Sequence, residues 1–203
     1  MRMRHAFAAA VLLASPAFAH HPGDRLDEVT AAREPAFEVT DTRSLPHLEL
    51  IDAASRGVEL DGMTDRIIVL SFTPEGCGAP CDAQQRLIER VRQAVNITPM
   101  QNMVSFVNVA EPGAAGFAAG ENCIQASSLP GEPVADLSEA FSGLSSRGGT
   151  EPAVHIIDRG GRHAGLFHGS AFRHADMMLY INGLTNMRPP EPGFRDKLGE
   201  LFR

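Results

Sequence analysis

Arg66-Ile67-Ile68-Val69-Leu70-Ser71-Phe72-Thr73-Pro74-Glu75-Gly76-Cys77-Gly78-Ala79-Pro80-Cys81-Asp82 is the stretch that decides the fold. Four consecutive aliphatics predict a central strand buried on both faces, over residues 66–73. A proline and glycine turn follows. Apolar positions at 83, 87, 88, 91, 94 and 95 then recur with helical spacing, while Gln, Arg and Glu fill the wet face of a helix over 82–95. Residues 103–109 (Met103-Val104-Ser105-Phe106-Val107-Asn108-Val109) form a second core strand. Strand, helix, strand in that order predicts a right-handed crossover and a parallel pair, the start of an α/β sheet.

The same stretch carries the chemistry. In such a sheet, sites form at the carboxyl ends of central strands, and here that end delivers Cys77 to the mouth of a helix. Unpaired helix-terminal N–H groups and the positive end of the helix dipole favour thiolate, which is both nucleophile and metal ligand. Cys81, one helical turn on, is within reach of Cys77. The expectation is that Cys77 attacks and Cys81 resolves, with Cys77 the more acidic thiol and Cys81 the more buried. The two sulfurs can alternatively grip a soft metal ion together. An inert disulfide is disfavoured, because stabilising disulfides usually close longer loops. A structural zinc site would need a second ligand pair, and none is evident.

The remaining elements follow from shorter patterns. Residues 20–44 are polar and read as an irregular lead-in. Residues 47–51 alternate like a half-buried strand, and 58–60 return as another. Residues 111–131, rich in Gly, Ala and Ser, predict an inserted loop that holds the third cysteine, Cys123. A short helix over 133–141, a strand pair at 153–157 and 162–167 around Asp158-Arg159-Gly160-Gly161, and a helix over 170–184 complete the domain. The proline-rich segment 187–203 ends in a short terminal helix.

Arg2, Arg4, the apolar run 6–14 and Ala17-Phe18-Ala19 match a secretory signal cleaved after Ala19. The run is too short to span a bilayer, which takes roughly 20 residues. The expectation is a periplasmic protein with no membrane span once the signal is removed. The net charge of −7 then becomes −9, since two arginines leave with the signal. The basic residues are scattered and Lys197 is the only lysine, so there is no stripe to neutralise phosphates and nucleic acid is excluded as a partner. Export also permits disulfides.

Residues 45–184 resemble the Sco/SenC family of thioredoxin-fold, copper-handling proteins, in the order of elements and in the Cys-x-x-x-Cys after Phe72-Thr73. The resemblance implies an α/β thioredoxin-like fold, a central mixed sheet flanked by helices, over residues 45–186. In that family two cysteines and a distal histidine bind copper and serve assembly of the cytochrome oxidase copper centre, while some members act as thiol–disulfide reductases. The matching cysteines are Cys77 and Cys81. Three departures stand out. Gly78 and Asp82 replace the prolines that follow the cysteines. Asn108-Val109-Ala110-Glu111-Pro112 replaces an acidic Asp-Pro-x-x-Asp segment. Thr150 occupies the position of the copper histidine, leaving His155 as the nearest imidazole and the expected third metal ligand.

Residues 149–161 also resemble the strand-opening segment of the TlpA/ResA-like thiol–disulfide proteins, in which a cis-proline faces the cysteine pair and shapes the groove for a partner's sulfur. Pro152 is the matching residue, expected to be cis. His163, His168 and His174 read as solvent-facing. His20 and His21, at the head of the chain after cleavage, form a second candidate site for copper(II). Cys123 is either a free thiol or a further metal ligand. The resulting reading is thiol–disulfide exchange through Cys77 and Cys81, with a protein thiol or disulfide as partner, in support of copper-centre assembly at a cytochrome oxidase subunit. The alternatives are a non-enzymatic copper carrier with a substitute third ligand and a thiol peroxidase, the latter weakened by the lack of an arginine visibly placed beside Cys77.

Overall fold

The computed structural model describes residues 25–60, 63–111, 120–149 and 151–187. The expected signal at 1–19, His20, His21, Thr150 and the tail beyond Met187 lie outside these residues. The order of elements is α1 (Leu26–Arg33), β1 (Phe37–Thr42), β2 (Leu50–Asp52), β3 (Gly57–Val58), β4 (Ile67–Thr73), α2 (Ala79–Asn96), a 3-10 turn (Pro99–Met103), β5 (Val104–Ala110), β6 (Cys123–Ser128), α3 (Val134–Ser142), β7 (Ala153–Ile157), β8 (His163–His168) and α4 (His174–Asn186).

The strands form one mixed sheet in the order β1-β8-β7-β4-β5-β6-β2-β3. The aliphatic run of β4 sits at its centre, parallel to β5 and antiparallel to β7. Side chains alternate across a strand, so β4 feeds two cores. Ile67 and Val69 pack with Ile88, Val91 and Val95 of α2 and with Met177 and Ile181 of α4. Ile68, Leu70 and Phe72 face the other way, against Leu137 and Phe141 of α3. Full burial of one such side chain stabilises by about 1.5–3 kcal/mol, which explains why this strand is the most legible in the sequence.

Two segments depart from the sequence reading. The lead-in expected to be irregular contributes α1 and β1, and β1 pairs antiparallel with β8 as the edge of the sheet. Phe37 is fully buried between the rings of Phe167 and Tyr180, at 4.9 and 4.5 Å. The approach is close because Gly165 lies beneath it: a Cβ there would come within 2.6 Å of the Phe37 ring and the Glu38 carbonyl oxygen. The expected loop at 111–131 contains β6, parallel to β5. Its Cys-Ile-Gln-Ala-Ser-Ser sequence carries little strand propensity, and sheet context supplies what propensity does not.

Candidate thiol site

β4 ends at Thr73, and a turn closed by the Cys77 N–H on the Pro74 carbonyl (3.2 Å) leads into α2. Gly78 is the residue before the helix, at φ +57°, a conformation that glycine adopts without penalty. The helix starts at Ala79, three residues before the predicted start. Pro80 in the first turn is no obstacle, since its missing N–H falls where helical N–H groups are unpaired anyway. Cys81 therefore belongs to the first turn, and Cys77 stands just outside it.

Cys77 and Cys81 are joined in a disulfide with their Cα atoms 5.7 Å apart. Cys77 is half-buried, whereas Cys81 is 1% exposed. The Cys81 sulfur lies 3.8 Å from the Phe72 carbonyl oxygen, which can accept its S–H when the pair is reduced. Cys77 is thus the more accessible residue of the pair, and Cys81 is sealed against the end of the strand.

Pro152 is brought to the same end of the sheet. Val154 lies opposite Ser71 in the antiparallel β4–β7 pair, so the residue that opens β7 lies at the carboxyl end of β4. The expected cis bond is not found: there is no cis peptide among the described residues. Pro152 is an ordinary trans residue whose carbonyl accepts the Gly169 N–H at 2.8 Å and the Gln84 Nε2 at 2.8 Å.

The structure does not bring His155 to the cysteines. It pairs with Leu70 and points to the α3 face, packed edge-on against Phe72 and Phe141, while Cys81 is carried by α2 on the opposite face. Two residues of one strand an odd number of places apart face opposite ways, and the odd-numbered face of β7 belongs to α3. His155 and His163 are both buried, at 1% and 0% exposure, so the expectation that His163 faces solvent fails as well. The network assigns their protons. Thr40 Oγ1 donates to the His163 carbonyl (2.9 Å), so His163 Nδ1–H donates to that hydroxyl and leaves Nε2 to accept from His155 Nδ1–H at 3.0 Å. Burial pushes the His163 imidazole down to about 4 and His155 well below its ordinary value. Neutral imidazoles suit this seam.

Cys123 is free and opens β6 opposite Phe106, toward the amino end of β5, away from Cys77. Burial pushes its thiol up to about 11 despite the neighbouring Arg92 guanidinium, which keeps it protonated at neutral pH. Among the described residues, no group of three or more His, Cys, Asp or Glu side chains is placed to hold a metal ion.

The sequence reading missed the amides behind the pair. Gln84 and Gln85 were assigned to the wet face of α2, yet Gln84 is 0% exposed. Gln85 Nε2 donates to Ser71 Oγ, Thr73 Oγ1 and Asn108 Oδ1 at 3.1–3.3 Å, linking the helix to the ends of β4 and β5. Gln84 falls at the i, i+3 and i, i+4 positions that join Cys81, Leu87, Ile88, Val91 and Val95 into one buried stripe, and that is the signal the periodicity held.

No family model matches the chain, and no curated protein matches its sequence. Solved structures do match its backbone. BsSco, a member of the Sco family of cytochrome c oxidase assembly proteins, aligns at TM-score 0.56 and 8% identity over 74% of this chain and 98% of that one. The fold is that of the Sco proteins. Copper-bound yeast Sco1 aligns at TM-score 0.54 and 9% identity, over 73% of this chain and 92% of that one. A SCO1/SenC family lipoprotein from Bacillus anthracis str. Ames aligns at 0.53 and 13%, over 70% and 95%. The mixed sheet with helices on both faces is the thioredoxin-like arrangement expected from the sequence. Among the described residues no helix is long and apolar enough to cross a membrane.

Proposed function

We propose that this Sco-like chain is an exported thiol–disulfide exchange protein that works through Cys77 and Cys81 and supports copper-centre assembly at a cytochrome oxidase. The observation that carries the reading is the asymmetry of the pair: a disulfide at a helix start, with one sulfur half-buried and the other sealed. In the reduced protein the Cys77 thiolate attacks a partner disulfide and forms a mixed disulfide, and the first partner thiolate departs with a proton from solvent. Cys81 then loses its proton and attacks the Cys77 sulfur. The second partner thiol leaves, and the pair is oxidised by the two electrons the partner gained. A thiol reductant of the same compartment restores the dithiol. BsSco is the subject of an identified disulfide switch, which supports a redox role for a pair on this fold.

Copper enters this reading as cargo. Among the described residues the donors at the site are two soft thiolates with no histidine beside them, a set that suits copper(I) and serves copper(II) poorly. Cys77 and Cys81 would hold the ion. The expected result of titrating reduced protein, freed of His20 and His21, is one copper(I) per chain, lost on Cys77→Ser or Cys81→Ser. Copper(II) should produce little sulfur-to-copper charge-transfer absorption. Copper(I) binding retained by the double serine variant would overturn this assignment, and strong copper(II) binding abolished by His155→Ala would restore His155 as a ligand. Export is supported by the N-terminal pattern and tested by sequencing the amino terminus of the secreted form, expected to begin at His20.

A further inference from the structure

Gln84 stands out among buried groups that the exchange steps do not use. It lies three residues after Cys81, on the same face of α2, and is fully buried. Its Nε2 donates to the Pro152 carbonyl at 2.8 Å and to the Gly169 carbonyl at 2.9 Å. The Gly169 N–H closes the junction on the Pro152 carbonyl. One carboxamide thus joins the dithiol helix, the head of β7 and the turn after β8. Its oxygen, also buried, has no hydrogen-bond partner among the described residues. A buried acceptor without a donor weakens the fold, a cost that an apolar side chain of the same size would not carry. Packing alone therefore does not account for glutamine here; the two bonds made by its nitrogen do.

We propose that Gln84 is a positioning residue of the thiol site: it fixes the head of β7 against the helix that carries Cys81 and so sets the cleft that receives a partner polypeptide's disulfide. The inference rests on the exchange reading above. We take the walls of that cleft to be the helix start at Cys77 and the head of β7 at Pro152, which meet at the carboxyl end of β4 and belong to elements far apart in sequence. The reach of Gln84 sets their separation. A small dithiol reaches Cys77 without touching the β7 wall, whereas a polypeptide must fit both. Misplacing a positioned reactant by about 1 Å costs up to about 100-fold in rate, and that cost should fall on the polypeptide alone.

The test compares two reactions of the full-length chain and of its variants Gln84→Met and Gln84→Glu. Methionine keeps the volume and removes both donors; glutamate keeps the shape and turns acceptors toward two carbonyls. Opening of the Cys77–Cys81 disulfide by dithiothreitol reports the pair itself, and insulin reduction with a dithiol supply reports the cleft. The expected result is a drop of about 10- to 100-fold in kcat/KM for insulin, with the dithiothreitol rate and the pH profile of Cys77 alkylation unchanged. Either variant, if folded by its circular dichroism, carries the test. Equal losses in both reactions, or no loss in either, overturn the role of Gln84 while leaving the exchange reading intact. A wild-type chain that reduces insulin no faster than Cys77→Ser overturns both.

Discussion

Cys81→Ser is expected to stop multiple-turnover exchange and to leave the partner covalently attached to Cys77, whereas Cys77→Ser is expected to abolish even the first attack. The two sulfurs differ in exposure: Cys77 is half-buried and Cys81 is 1% exposed against the end of β4. Attack needs an approachable thiolate, and resolution needs only a sulfur beside the mixed disulfide. Cys77 also stands outside the first turn of α2, where unpaired N–H groups stabilise negative charge. Both variants should remain folded, because a disulfide across so short a loop contributes only about 2 kcal/mol. Gel analysis of each variant mixed with an oxidised protein substrate gives the answer. A trapped, reductant-sensitive complex with Cys81→Ser and none with Cys77→Ser is the expected pattern; the reverse would exchange the two roles.

The second large effect is on stability against pH. His163 and His155 are neutral and buried in the folded chain, with burial holding His163 down to about 4 and His155 well below its ordinary value. In the unfolded chain both take up a proton near pH 6.5. As pH falls from about 6.5 toward 4, the unfolded state binds protons that the folded state refuses, so stability falls. His163 alone accounts for a loss of about 3 kcal/mol over that window, a large part of the 5–15 kcal/mol typical of a domain. Glu38, beside His168, does not offset this. Burial alone would raise its carboxyl, but hydrogen bonds from Ser145, Ser146 and His168 hold it down at about 2, so its own contribution is lost only below the pH at which an unfolded glutamate protonates. Urea unfolding at pH 7, 5.5 and 4 should show a steadily falling midpoint, with a shallower fall in His163→Gln. A flat profile would contradict the buried neutral pair.

How much of this was legible in the sequence depended on the source of each element's stability. β4 and β7 carry their own signal, since β4 holds an aliphatic run and β7 one broken only by His155, both buried on both faces, and β7 spans Ala153–Ile157 as predicted. The pair Cys77–Cys81 was legible for the same reason, because a buried strand followed by a helix fixes where its end must be. β1 and β6 were not. Each depends on a neighbour for its pairing and burial, Phe37 on Gly165 and Cys123 on Phe106, and no local pattern contains that neighbour. His155 was misplaced as a ligand because distance along the chain says nothing of the face; its parity with Ile157 does. Gln84 was hidden by its polarity, which in a surface helix marks water and here marks a junction of three elements.

The central claim is that Cys77 and Cys81 form a reversible redox couple to which Cys123 is a bystander. Equilibrating the protein in dithiothreitol buffers of graded potential, alkylating it and mapping the cysteine peptides tests that claim most directly. The expected outcome is a single two-electron transition in which Cys77 and Cys81 gain label together, with no Cys123-linked peptide at any potential. A dominant link from Cys123 to either partner, or a Cys77–Cys81 bond that resists even the most reducing buffer with the chain folded, would contradict it.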